Sequence, residues 1–335
     1  MKKTFFILAA AAAALASCVK SEVVNVSESS AIAFDSFVSK ETKATTITSR
    51  NELTDFWVSG RIEGDATPLF DNQQLTWNVE NQVYAYESHK TWELGKTYRF
   101  AAYSDANEVL TSPASFNYNT TTGKNQIEIS NYTVDDSKDL LAAIHAPISI
   151  LPNGANIPSG RVAFQFAHML TRVRFEVENT SASDIYITIS DISFNGTKTG
   201  DCVYAYDESN QTYSCTWTED ETGNYNYNFG TDYISKGKTV VVDHFVIPQD
   251  NNKDISFVVE SYVKEGEDYN LSSTTNYTAS LEYGDDTWKA GWVYNYLIKV
   301  GGAAHYIHFD AAVDNWGYDL DDSGVSTDDD ILIEK

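Results

Sequence analysis

The sequence predicts an all-β protein organised as two antiparallel β-sandwiches in tandem, and three observations carry that expectation. Aromatic residues make up 13% of the 335 residues, led by 21 tyrosines, and there are only six prolines. With abundant Thr, Val and Asn, this is the composition of sheets whose polar faces meet water. Short runs of alternating polarity recur along the chain with Gly, Asn and Asp turn formers between them, and beyond residue 17 no amphipathic helical run reaches three turns. Pro147, Pro152, Gly154, Pro158 and Gly160 crowd one stretch near the middle, where two consecutive domains are expected to meet.

The elements follow in chain order. Lys2 and Lys3 precede a short apolar stretch over residues 5–15, and small residues lead to Leu15-Ala16-Ser17-Cys18, the layout of an export signal. The stretch is short for a spanning helix. The tetrad resembles a bacterial lipoprotein box, in which Cys18 receives diacylglycerol and becomes the first residue of the mature protein; an ordinary secretory signal with an incidental cysteine is the alternative. Residues 1–17 are thus a signal peptide and 18–30 a polar, serine-rich, lipidated tether. The first domain is expected over residues 31–157. It opens with the strand Ala31-Ile32-Ala33-Phe34-Asp35-Ser36-Phe37, followed over 40–50 by a Thr- and Lys-rich segment with too little apolar content for a core, hence exposed to proteases. Strands are then expected near 56–60, 75–79, 83–86, 98–103 and 127–129, with a last element at 139–145. The second domain, 158–318, opens with a run over 162–177 whose end places Val173, Phe175 and Val177 on one face. Further strands are read at 185–189, 240–247, 255–262, 277–283, 293–300 and 306–309. Residues 319–335 form an acidic tail.

Charge excludes some functions. The formal net charge is −25, and removing Lys2 and Lys3 with the signal takes it to −27. Such a chain repels nucleic acid and acidic headgroups, so no nucleic-acid role is expected and acyl chains must hold the protein at the membrane. Besides Cys18 the chain has Cys202 and Cys215, in alternating segments separated by the turn-like Asp207-Glu208-Ser209-Asn210. A hairpin there brings them opposite each other, and an exported compartment permits a disulfide, with two free thiols as the alternative. No histidine stands at metal-ligand spacing from either.

The search for chemistry yields no catalytic constellation, no cofactor motif and no metal site. There is no nucleophile elbow, His-Glu-x-x-His pair, phosphate loop or dinucleotide fingerprint. His168 lies in an apolar run and reads as a core or junction residue. His305 and His308 fall on opposite faces of a strand. The 48 acidic residues make any carboxylate pair uninformative. Trp57, Trp77, Trp92, Trp217, Trp288, Trp292 and Trp316 invite a glycan-binding reading, but half-buried strand aromatics are the simpler one. Asp319, Asp321, Ser323, Gly324 and Asp330 partly echo a calcium loop; flanking helices and the final glutamate are absent, so a solvated acidic terminus is preferred. Ile331, Leu332 and Ile333 are three β-formers at the chain end that suit pairing with an open sheet edge, in this chain or another.

Together the lipobox, the Ile32-Ala33-Phe34 strand, the basic segment up to Arg50, Asp139-Leu140-Leu141-Ala142, the Phe166-Ala167-His168-Met169-Leu170-Thr171-Arg172-Val173-Arg174-Phe175 run and the closing Val313-Asp314-Asn315-Trp316-Gly317 resemble the fimbrillin family of Bacteroides-type bacteria. The resemblance implies two transthyretin-like β-sandwich domains and a non-enzymatic fimbrial subunit supporting adhesion to a host or bacterial surface receptor. It implies an outer-membrane lipoprotein precursor, anchored through Cys18, whose first strand fills a groove in its own first domain. Ile32, Phe34 and Phe37 belong to that displaced strand. An arginine-specific surface protease removes it, with Arg50 the best site and Arg61 the runner-up, and a strand from another copy or another fimbrial subunit takes its place. The donor is expected to be the tail, through Ile331, Leu332 and Ile333. Its short apolar part leaves a non-polymerising anchor or tip subunit as the alternative within the family, and a surface glycan-binding lipoprotein as the alternative outside it.

Overall fold

A computed structural model describes residues 31–38, 52–111, 114–281, 287–301, 306–315 and 329–332, and the elements among them are strands. The first seven are β1 (Phe34–Val38), β2 (Asp55–Ile62), β3 (Phe70–Asn78), β4 (Val83–Ala85), β5 (Thr97–Asp105), β6 (Ser115–Asn119) and β7 (Lys124–Thr133). The middle of the chain gives β8 (Leu140–Ser149), β9 (Val162–His168), β10 (Thr171–Asn179), β11 (Ile185–Ile189), β12 (Ile192–Thr197), β13 (Thr199–Asp207) and β14 (Thr212–Glu219). The last seven are β15 (Thr222–Tyr227), β16 (Thr239–Val246), β17 (Asp254–Glu265), β18 (Asp268–Ser280), β19 (Trp292–Gly301), β20 (Tyr306–Asn315) and β21 (Asp329–Leu332).

Four sheets result. The first runs β1-β9-β8-β5-β2-β3-β4 and coils until its two ends, β1 and β4, stand side by side, a nearly closed barrel. A four-stranded sheet, β14-β13-β7-β6, lies against it. The remaining two, β16-β10-β19-β20-β21 and β11-β17-β12-β15 with β18 on β17, face each other as a sandwich.

Two hydrophobic cores explain the sequence patterns. Tyr98, Phe100 and Ala102 of β5 bury inside the barrel, while Ala101 and Tyr103 bury on its outer face. On β8, Leu141 and Ala143 point in, and Leu140, Ala142 and Ile144 point out. β8 therefore reads as a continuous apolar run over 140–144 and β5 over 100–103, as strands covered on both faces do. The outer core extends into the sandwich, where Val173, Phe175 and Val177 share one fully buried face, as the alternation predicts.

Strand β9, which follows residue 158, pairs into the first sheet. The run 162–177 is two strands: β9 completes the barrel with Val162, Phe164 and Phe166 in its core, and after the corner Met169-Leu170, β10 enters the sandwich. The Pro- and Gly-rich stretch is the loop between β8 and β9, which pair at Leu141↔His168 and Ala142↔Ala167. The β6–β7 hairpin likewise leaves the first half to pair with β13. Apolar complementarity, which residue order along the chain does not encode, decides both placements.

Candidate functional site

The seam where the barrel nearly closes is the most distinctive site, and β1 occupies it. β1 is held along one edge by a parallel ladder to β9, from Phe34↔Val162 to Val38↔Phe166. Alternation sends Ile32, Phe34 and Ser36 inward, and all three are almost fully buried. Phe34 sits in an aromatic box: its ring centroid lies 5.3 Å from Phe70, 5.6 Å from Phe100 and 5.6 Å from Phe164, with Tyr86 at 6.0 Å. Gly60 on β2 makes this box possible, since a Cβ there would stand 2.8 Å from Phe100 and 2.9 Å from Phe70.

On its other edge β1 forms no ladder with β4 among the described residues. Side chains close the gap instead. Tyr84 donates to the Leu53 carbonyl at 2.6 Å and meets Ser36 Oγ at 2.7 Å. A phenol has one proton, so Ser36 is the donor in the second bond. Tyr86 donates to the Ile32 carbonyl at 2.6 Å. Its hydroxyl is pushed above its ordinary pKa by burial, partly offset by the bond from the Lys90 backbone. At the start of the strand, Ile32 N donates to Lys90 O at 2.9 Å. On the outer face Arg161 lies 3.7 Å from Asp35 and donates to Gln82 O at 2.8 Å; the pair is partly exposed and contributes little. The arrangement has no acid–base chemistry to offer. It is a groove that holds one extended segment by two apolar pockets, one hydroxyl-lined pocket and one backbone edge.

Ile32 and Phe34 are buried together in the barrel core. Phe37 pairs through its backbone with Gln165, and its side chain lies outside the described residues, as do Cys18, Arg50 and Ile333. Arg61 is exposed but lies within β2, paired with Arg99 of β5. Ile331 and Leu332 lie on β21, in register with Phe309 and His308 of β20. Cys202 and Cys215 lie on adjacent strands of the hairpin β13–β14 with sulfurs 3.8 Å apart and unbonded. The hydrogen bond between the two thiols, together with burial, pushes the Cys202 thiol well up. His168 is buried against the Asp139 carboxylate at 3.0 Å, at the corner between β9 and β10. Trp57, Trp92 and Trp288 are buried, and Trp77, Trp217 and Trp292 pack against the cores, so the described tryptophans form no open platform. Among the described residues no group of three or more His, Cys, Asp or Glu is placed to hold a metal ion.

Sequence reasoning missed Tyr84, Tyr86, Ser36 and Gly60. Alternation in Val83-Tyr84-Ala85-Tyr86 puts both tyrosines on one face, but nothing local says which strand that face meets.

The family model described as "Fimbrillin-like" matches residues 42–316. The fold is similar to that of a fimbrial protein from Bacteroides vulgatus ATCC 8482, at 16% identity and a TM-score of 0.55, covering 86% of this chain and 99% of that one. A putative cell adhesion protein from Bacteroides uniformis ATCC 8492 aligns at 17% identity and a TM-score of 0.48, covering 85% and 98% of the two chains. No curated protein sequence matches.

Proposed function

This chain belongs to the fimbrillin-like family, and from that premise we propose that it is a subunit exported as an outer-membrane lipoprotein through Cys18 and assembled into a surface fimbria by exchange of its first strand. Its general role, structural and non-catalytic in a fimbria or adhesin of the cell surface, is that of the family. We read its two halves as transthyretin-like sandwiches, the first coiled almost shut around β1.

The single observation that carries the reading is the way β1 is held. Ile32 and Phe34 complete a core, yet the strand is tied by one ladder, a single bridge at Ala31–Thr91 with the Ile32 N to Lys90 O bond, and a few side-chain bonds, and it connects to the body only through residues 39–51, which contain Arg50. Cleavage after Arg50 turns a covalent part of the fold into an exchangeable one. Loss of the strand uncovers two large apolar pockets, each worth roughly 1.5–3 kcal/mol, and the β9 edge with its unpaired backbone. A body in that state is driven to take a strand from a neighbouring subunit, with no nucleotide and no cofactor. Arg61 is the poorer cut, because β2 would go with the fragment, and with it Phe56 and Val58 of the barrel core.

The test treats purified residues 19–335 with an arginine-specific protease and follows mass and oligomer size. Cleavage after Arg50, with the amino-terminal fragment displaced when a strand-bearing partner subunit is supplied, supports the proposal. A chain that stays intact, or a cut chain that never exchanges its fragment, counts against it.

A further inference from the structure

The groove specifies its occupant more narrowly than a generic apolar strand. Three inward positions, two residues apart, define it. The first accepts Ile32, whose carbonyl is bonded by Tyr86; the second accepts Phe34 among aromatic rings; the third holds the small hydroxyl of Ser36 against Tyr84 in a site with no access to water. A replacement strand must therefore read apolar–x–aromatic or large apolar–x–Ser, Thr or another small residue. A charged side chain at any of the three is buried without an opposite charge.

The tail of this chain does not meet that requirement. With Ile331 and Ile333 in the first two positions, Lys335 falls on the third. Starting one step earlier puts Asp329 in the first pocket, and centring Leu332 puts Asp330 and Glu334 on either side of it. Reversing the direction only exchanges which pocket receives the charge. A separate observation agrees: the tail is already engaged in cis, where β21 pairs antiparallel with β20 at the edge of the sandwich.

We infer that the groove receives a strand of a different fimbrial subunit carrying this three-position pattern, and that the tail of the present chain covers its own sheet edge instead of donating to a second copy. The inference rests on the strand-exchange reading above. It makes the molecule an accepting accessory subunit that does not polymerise with itself.

The test uses residues 19–335 cut after Arg50, loaded with a fluorescent peptide of residues 31–38. Unlabelled competitors are the same peptide, its Ser36→Thr and Ser36→Lys forms, and a peptide of residues 328–335. The parent and Ser36→Thr peptides are expected to compete alike, and the Ser36→Lys and tail peptides at least about tenfold worse. A tail peptide that competes as well as the parent overturns the inference while leaving strand exchange intact. So do ladders of the cut chain alone that Ile331→Asp and Ile333→Asp abolish. Failure of the cut chain to take up the parent peptide overturns strand exchange itself.

Discussion

Phe34 shows how much one side chain of β1 contributes. It is fully buried among Phe70, Phe100 and Phe164, so Phe34→Ala is expected to cost about 3–5 kcal/mol, read as a lower urea midpoint at unchanged slope. The same loss must appear as faster exchange of the strand once Arg50 is cut. Asp105 gives a pH dependence away from the groove. Burial is the main cause that raises its carboxyl from the ordinary 3.8 to about 6, against the bond from Tyr132. The folded state therefore holds this proton more tightly than the unfolded one, and stability falls as pH rises through that interval. Asp105→Asn is expected to flatten the decline in Tm between about pH 4 and pH 6; a variant that tracks the parent at every pH contradicts the assignment. At this scale Ile32 and Phe34 were legible because alternation alone turns them inward. Ser36 was not, because its meaning comes from Tyr84, 48 residues away.

At the scale of elements, β1 is a strand whose two edges are unequal. Its ladder to β9 is regular, while Tyr84 and Tyr86 staple the other side. Removing one staple loses a bond worth about 0.5–1.5 kcal/mol, so Tyr84→Phe and Tyr86→Phe should each speed loss of the cut fragment up to about tenfold, with the body still folded. Gly60→Ala acts from the opposite wall: the added methyl meets Phe70 and Phe100 and is expected to cost about 1–3 kcal/mol through overpacking, seen in thermal denaturation. Strands with one wet face were easily read, as with Val173, Phe175 and Val177. β5 and β8 were located but not understood, because burial on both faces erases the alternation that shows which side is which. The corner at Met169-Leu170 was hidden because no Gly, Pro, Asn or Asp marks a turn between the two strands.

Across the whole molecule, the outer core joins the barrel, the four-stranded sheet and the sandwich, so the sequence order of its parts is a poor guide to their grouping. Arg99 on β5 binds Glu208 beyond β13 and Glu63 beyond β2, with its guanidinium 3.9 Å over Tyr118. Trp217 donates to Met169 O at the corner, 2.8 Å away. Such ties join the barrel, the four-stranded sheet and the corner into the sandwich. The adjacent Cys202 and Cys215 lie in this same framework, and we propose that they oxidise after export; protein from an oxidising compartment should then be lighter by two hydrogen atoms than its reduced form. All-β composition and short strands were legible from residue types. The barrel seam was not, because it is closed by contacts between residues 31–36 and residues 84–91. β1 fills a groove that would otherwise be open, and hydrogen exchange before and after cleavage at Arg50 and removal of the fragment reads this out. Amide protection on β9 residues 162–166 is expected to be lost and to recover on adding a peptide of residues 31–38, with protection at Val173, Phe175 and Val177 unchanged. Full protection of β9 after the fragment has gone would contradict this.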